Sequence, residues 1–240
     1  MSYPLKIAID GQAASGKSTL GELLAQKLDY TFLDSGKVYR AIARQVILKG
    51  ITASDEEAVI FLLTHIAIRV ERSSSFDTPH VIVGSENLLD QNLYTKEISQ
   101  AVPIIAAYPE VRKIVREVQG QLASQGKVII AGRDIGTVVM PDADLKIFLE
   151  VSLNERVERR YLTLSKKKPN ITKEEIKADI IRRDQIDSHR HESPTTVPED
   201  AVIINTDGKE PHQVVEYIIT LMQPNSLKKE STKVYSGATQ

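Results

Sequence analysis

A three-layer α/β fold, a parallel sheet covered by helices on both faces, is what this sequence predicts, on three observations. Short apolar runs alternate with longer amphipathic stretches as far as about residue 222, the pattern of successive β-α units. The first unit joins Ile7-Ala8-Ile9 to a Gly-x-x-x-x-Gly-Lys-Ser turn and then to a helix. From Ile66 the hydrophobic period changes from helical to alternating, so one antiparallel hairpin interrupts the parallel arrangement.

The first unit carries the chemistry. Gly11-Gln12-Ala13-Ala14-Ser15-Gly16-Lys17-Ser18-Thr19 has the composition of a phosphate-binding loop: the glycines let successive N–H groups point inward at phosphate oxygens, Lys17 bridges terminal phosphates, and the Ser18 hydroxyl can ligate Mg²⁺. Leu20, Leu23, Leu24 and Leu28 form one face of the following helix. A plain Gly-rich turn would not account for a Lys-Ser pair at a helix start.

The remaining elements follow in order. Tyr30-Thr31-Phe32-Leu33 reads as a second strand ending in Asp34-Ser35-Gly36, where a parallel sheet presents ligand-facing groups. Lys37 to Leu48 is a helix with Arg40 and Arg44 on one side, and Ser54-Asp55-Glu56-Glu57 is a capping box opening a helix to about His65. Ile66, Ile68 and Val70, then Val81 and Val83, are the hairpin strands, joined through Ser73 to Pro79. A helix from Thr95 should kink or end at Pro103. Pro109 suits the first turn of the next helix, whose buried stripe is Val111, Ile114, Val115, Val118 and Leu122, with Arg112 and Arg116 off it, free to face a cleft or water. Lys127 to Ala131 is a strand leading into Gly132-Arg133-Asp134-Ile135-Gly136-Thr137, and Leu145 to Leu149 is another. Two charged helices follow, Asn154 to about Ser165 and one capped by Thr172 and Glu175, with the exposed link Ser165 to Asn170 between them. Ala201 to Asn205 is the last strand, and Pro211 opens a closing helix with Val214, Val215, Ile218, Ile219 and Met222 inward. The polar stretch 223–240 is expected to be disordered.

Composition bounds the function. A chain of 240 residues with 41 % apolar content can bury a full core and is most simply one domain with insertions. With 31 basic and 32 acidic residues there is no general basic field, so nucleic acid is not an expected partner and any anion site must be local. The absence of cysteine excludes disulfides, thiolate catalysis and sulfur-ligated metals. No signal-like segment precedes the first strand and no apolar run nears the roughly 18 residues of a membrane span, so a cytoplasmic protein is expected.

Arginines fall in small clusters beside acids or glycine turns: Arg40 after Asp34-Ser35-Gly36, Gly132-Arg133-Asp134, Arg156 with Arg159 and Arg160, and Arg182-Arg183-Asp184 through Asp187 to Arg190. Phosphoryl transfer is catalysed mainly by positioning and charge stabilisation by Lys, Arg and Mg²⁺, and such clusters at strand ends suit it. The bland reading of any one pair is a solvated surface contact. His189 and His191 lack a third metal ligand at suitable spacing, Lys166-Lys167-Lys168 reads as a solvated tip, and Tyr39 as packing.

Together, Asp10-Gly11 before the loop, Leu33-Asp34-Ser35-Gly36-x-x-Tyr39-Arg40, Gly132-Arg133-Asp134-x-Gly136-Thr137-Val138-Val139 and Arg183-Asp184-x-x-Asp187-x-x-Arg190 resemble the bacterial cytidylate kinases, from about Ile7 to Met222. The resemblance implies transfer of the ATP γ-phosphate to CMP or dCMP with Mg²⁺, by a monomer. It implies a P-loop NTPase fold of nucleoside monophosphate kinase type: one domain over 1–222 with a five-stranded parallel core (1–65 and 123–222), a monophosphate-binding insert (about 66–122) and a lid (about 154–172). It assigns Gly11 to Thr19 with the lid residues Arg156, Arg159 and Arg160 to ATP, and Ser18, with Asp34 through water, to the metal. Arg40, Arg133 and Arg190 fall to the acceptor phosphate, Arg112 and Asp134 to cytosine, Arg183 and Asp187 to ribose, and Ser35 to the acceptor site. Lys17, Arg133, Arg159 and Arg190 are the expected catalytic set.

Three positions depart from that family's pattern. Pro103 replaces a base-contacting Ser, Leu93-Tyr94-Thr95 stands for Ile-Arg-Thr, and Ala131 replaces an acid before Gly132. They keep two other readings open: a kinase of the same fold for UMP or a non-nucleotide such as shikimate, and a nucleotide binder impaired in catalysis.

Overall fold

The strand β1 (Lys6–Gly11) lies at the centre of a five-stranded parallel sheet of order β2-β6-β1-β7-β8. Its neighbours are β2 (Thr31–Asp34), β6 (Val128–Gly132), β7 (Leu145–Glu150) and β8 (Val202–Asn205). The computed structural model describes residues 5–72, 79–84, 86–88, 93–166, 168–189 and 192–222. Arg190, His191, Lys167, the 73–78 part of the hairpin connection and the 223–240 stretch lie outside the described residues.

Side-chain alternation along the strands builds the layers. Ile7, Ile9, Ile129 and Ile147 point to one face and pack with Leu20 and Leu24 of α1 (Lys17–Leu28) and with Val214, Val215 and Ile218 of α8 (Pro211–Leu221). Ala8, Leu33, Val128 and Ile130 point to the other. They meet α2 (Ser35–Leu48), α3 (Glu56–Thr64), α4 (Lys96–Ile105) and α5 (Pro109–Ala123). Burial on both faces explains why these strands read as continuous apolar runs. Register makes the site: Asp10 is level with Gly132, and Asp34 with Ala131, so β1, β2 and β6 end side by side.

The hairpin is present as β3 (Ile68–Glu71) paired antiparallel with β4 (His80–Val83), and a third strand, β5 (Glu86–Leu88), extends it. Two helices differ from expectation. The cap of α3 is Asp55, whose side chain accepts the Ala58 N–H at 3.0 Å, one residue later than the Ser54 box. Pro103 lies inside α4, which ends two residues beyond it. Pro103 forfeits the one bond its N–H would make to the carbonyl four residues back, and burial of Ile98, Ala101 and Ile105 carries the helix through.

α6 (Leu153–Leu164) and α7 (Lys173–His189) form a charged antiparallel pair. Thr172 and Glu175 cap α7 reciprocally, the Glu175 carboxylate accepting the Thr172 N–H at 3.0 Å and the Thr172 hydroxyl the Glu175 N–H at 3.1 Å. Val157, Ile176 and Ile180 close over Ala13 in a separate apolar cluster. No helix among the described residues is long and apolar enough to cross a membrane.

The contact between α1 and β2 is close: a Cβ on Gly21 would lie 2.1 Å from the Phe32 ring, itself 4 % exposed. Gly21→Ala should gain up to ~1 kcal/mol of helix propensity but lose more to overpacking, ~1–3 kcal/mol. Urea denaturation should show net destabilisation, and a raised midpoint would contradict this packing.

Candidate active site

The loop between β1 and α1 is shaped by backbone that few residues adopt. Gly16 has φ 90° and Ala14 φ 59°, while Gly11, at φ 152°, approaches β7 so closely that a Cβ would lie 2.8 Å from the Leu149 carbonyl oxygen. Gly16 leaves the start of α1 without a side-chain cap, an open helix N-terminus of the kind that receives phosphate. Lys17 Nζ donates to the carbonyls of Gly11 (2.8 Å) and Gln12 (2.7 Å) and to the Ser15 hydroxyl (3.1 Å). Burial, and then the charge of Arg133, hold its ammonium pKa well below the usual lysine value. The Ser18 hydroxyl donates to Asp34 Oδ2 at 2.6 Å, while Asp34 Oδ1 accepts the Gly36 N–H at the start of α2.

Across a cleft of about 770 Å³ stand the arginines. Arg133 Nε donates to Asp187 on α7 (2.7 Å) and its NH1 to the Gly11 carbonyl (2.6 Å), so it sits between the loop and α7. Arg40 donates to the Leu93 carbonyl (3.1 Å) and the Ser99 hydroxyl (3.2 Å), and its guanidinium lies 4.5 Å from the centre of the Tyr94 ring. Burial lowers the pKa of Arg40, and burial with the nearby Arg133 lowers that of Arg183 to about 10. Arg159 donates to Glu155 (2.8 Å) and to the Thr206 carbonyl (2.5 Å). Arg160 lines the same cleft. Local cations crowded this way lower one another's pKa, a site that gains by binding anions.

Deeper in, Arg112 and Asp134 form a buried ion pair, Arg112 being 2 % exposed. Burial opposes its charge, but Tyr39, 5.9 Å away, and Asp134 outweigh that and raise the pKa. Arg112 also donates to the Ala106 carbonyl at 3.3 Å.

Of the residues the sequence singles out for the site, Ala14 to Thr19, Asp34, Ser35, Arg40, Arg112, Arg133, Asp134, Arg159, Arg160, Arg183 and Asp187 line this one cleft. Arg190 lies outside the described residues. Arg156 faces away from it, pairing with Asp184 and donating to the Ala13 carbonyl at 3.1 Å. The Ala13 N–H likewise points away, to Asp184 at 2.9 Å. The Ala131 methyl packs in the apolar cluster between the sheet and α1.

Three further residues shape the site: Asp10 and Tyr94, which the sequence motifs quote without a role, and Gln119, which they do not include. Asp10 is fully buried and accepts the N–H groups of Ile135 (2.8 Å) and Gly136 (2.7 Å), pinning the Arg133 loop to β1; burial raises its pKa to about 6. The loop then makes a single π-helical turn, Ile135–Val139. Gln119 Nε2 donates to the Ser35 hydroxyl at 2.7 Å. Tyr94 stacks on Arg40. The partners of Asp10, Gln119 and Tyr94 are all distant in sequence and leave no local signal.

A phosphate loop on the central strand of a five-stranded parallel sheet, facing a second cationic cluster across one cleft, defines a P-loop kinase. The chain belongs to the cytidylate kinase family, whose model matches residues 7–224. It is 39 % identical over 228 residues to the cytidylate kinase of Caldanaerobacter subterraneus subsp. tengcongensis, covering 94 % of this chain and 98 % of that protein. The cytidylate kinase of Streptococcus pneumoniae serotype 19F is 41 % identical over 220 residues, covering 89 % of this chain and 95 % of its own. That of Listeria monocytogenes serovar 1/2a is 37 % identical over 229 residues, with 93 % and 98 % covered.

Removing one partner of the Arg112–Asp134 pair leaves a buried charge alone, which costs about 3–5 kcal/mol. Asp134→Ala should therefore lower unfolding stability by about 3 kcal/mol in the absence of nucleotide, measured by urea denaturation. A loss below about 1 kcal/mol would show that water reaches the guanidinium.

Proposed function

We propose that this cleft holds ATP on the Gly11 to Thr19 loop and CMP or dCMP opposite it, and transfers the γ-phosphoryl group directly between them, without a covalent enzyme intermediate. Phosphorylation of CMP and dCMP is the activity of the family to which the chain belongs. The observation that carries the residue assignment is the convergence of Lys17, Arg40, Arg133 and Arg183, from three helices and a strand end, on one cleft.

The residues present suggest how the work is divided. Lys17, now held by two loop carbonyls and Ser15, exchanges them for the terminal phosphates of ATP, whose charge restores its pKa. Arg40 and Arg133 grip the acceptor phosphate and hold the attacking oxygen in line, with Arg190 the third member of that set. Arg159 and Arg160 neutralise charge from the α6 side and help exclude water from the cleft. Asp187 and Arg183 are placed for the ribose, and Ser35, fixed by Gln119, for the acceptor.

Cytosine offers acceptors at O2 and N3 and a donor amine at N4, so Arg112 donating and Asp134 accepting match it. Uracil would set a carbonyl oxygen against the carboxylate, an unpaired contact costing about 1–3 kcal/mol. Pro103 removes one hydroxyl from this wall and leaves the ion pair to read the base.

Ser18 and Asp34 present a hydroxyl and a carboxylate in contact at the loop, an oxygen donor set that suits Mg²⁺, and they are the residues that would hold it. The ion would supply charge neutralisation at the phosphates of ATP. The protein acts as a monomer in the cytoplasm.

A coupled ADP-release assay over CMP, dCMP, UMP and shikimate tests this reading. CMP and dCMP should turn over, with UMP about tenfold or more slower; absence of turnover with both cytidylates would overturn it in favour of a nucleotide binder. Arg133→Ala should lower kcat by about 10²–10³-fold, the usual cost of losing one donor to developing charge, and wild-type kinetics would remove Arg133 from the machinery.

A further inference from the structure

Every backbone atom group of Ala13 that could turn toward phosphate, or away from it, is engaged from behind the loop. Its N–H donates to Asp184 Oδ1 at 2.9 Å and its carbonyl accepts from Arg156 NH1 at 3.1 Å. The same NH1 donates to Asp184 Oδ2, closing a ring of three bonds around this one residue and so fixing the two peptide units that flank it. The Ala13 methyl is 2 % exposed, covered by Val157 of α6 and by Ile176 and Ile180 of α7.

The ring matters because the next residue is strained. Ala14 holds a left-handed φ of 59°, a conformation that an alanine adopts only when its surroundings impose it. With Ala13 fixed on both sides, the chain enters that turn in one orientation, and the N–H groups of the loop that follow are aimed before the nucleotide arrives. Arg156 is buried and Asp184 half-buried, with side chains 6 % and 15 % exposed, so the pair is shielded from most solvent.

We infer that Asp184, acting with Arg156, is a positioning residue for the ATP-binding loop: it holds the Ala13 peptide so that the loop is shaped for the triphosphate. This deepens the reading proposed above and rests on it. It separates the two faces of α7. Arg183 and Asp187 line the cleft on the acceptor side, whereas Asp184 grips the donor loop. It also gives Arg156 a task different from that of Arg159, which contacts Thr206 and lines the cleft.

The test compares Asp184→Asn and Arg156→Lys with the wild-type protein, measuring KM for ATP and, by calorimetry without ATP, the affinity for CMP. A donor-loop role predicts a KM for ATP raised about tenfold or more in each variant. CMP affinity should stay within about twofold, and turnover should be recovered at high ATP. If the KM for ATP stays within about twofold, or if both substrates weaken in equal proportion along with a lower melting temperature, the pair is merely structural and the inference falls. Should Asp184→Asn fail to fold, Arg156→Lys, which keeps the charge but replaces the planar guanidinium that holds Ala13 and Asp184 through one nitrogen, gives the same readout. Wild-type turnover of CMP, run alongside, separates a failure of this inference from a failure of the kinase reading.

Discussion

Repulsion among buried cations is the constraint on which this structure depends. Lys17, Arg133, Arg183 and Arg40 occupy one cleft, and burial together with their mutual charge depresses the pKa of Lys17 and Arg183. Such a cluster persists only if it is held. Asp187 holds Arg133, the Leu93 carbonyl and Tyr94 hold Arg40, and two loop carbonyls hold Lys17. The fold supplies the rest: β1, β2 and β6 end level with one another, so the loop, Asp34 and Arg133 emerge from adjacent strands. Asp10 then ties two of those ends together through the Ile135 and Gly136 amides. Nucleotide phosphates would replace the carbonyls and carboxylates as partners, so binding relieves a tension already present.

Much of the fold was legible because its signals are local. The phosphate loop, the alternation of the core strands and the reciprocal cap at Thr172 and Glu175 each depend on residues within a few positions of one another. What escaped depends on distant packing. Pro103 reads locally as a helix end, yet the burial of Ile98, Ala101 and Ile105 keeps α4 intact around it. The third strand of the insert is only three residues long, too short for alternation to mark.

The site divides in the same way. The arginine clusters announce phosphate chemistry, and the structure gathers most of them in one cleft. Which arginine does what is not a local property. Arg112 lies beside the buried stripe of α5 and reads as facing a cleft or water, but Asp134, 22 positions away, makes burial of its charge tolerable. Arg156 and Arg159 are three residues apart on one helix, yet the first turns to Asp184 and Ala13 and the second to Glu155 and Thr206. Helical spacing gives only the Glu155–Arg159 pair; the other partners come from α7, from the β1–α1 loop and from the segment after β8. Ala131 shows the reverse case: its small side chain is accommodated in the apolar layer with Ile9 and Leu20, which leaves Asp34 as the carboxylate in contact with Ser18.

On the proposed function, the cationic cleft is two phosphate sites facing one another. A crystal structure with CMP and a non-hydrolysable ATP analogue tests it most directly. The terminal phosphate of the analogue should lie on Lys17 and the loop amides, with the CMP phosphate within hydrogen-bonding distance of Arg40 and Arg133 and in line with it. A CMP phosphate lodged elsewhere, with Arg133 still on the Gly11 carbonyl and Asp187, would show that the arginines are not an acceptor-phosphate site.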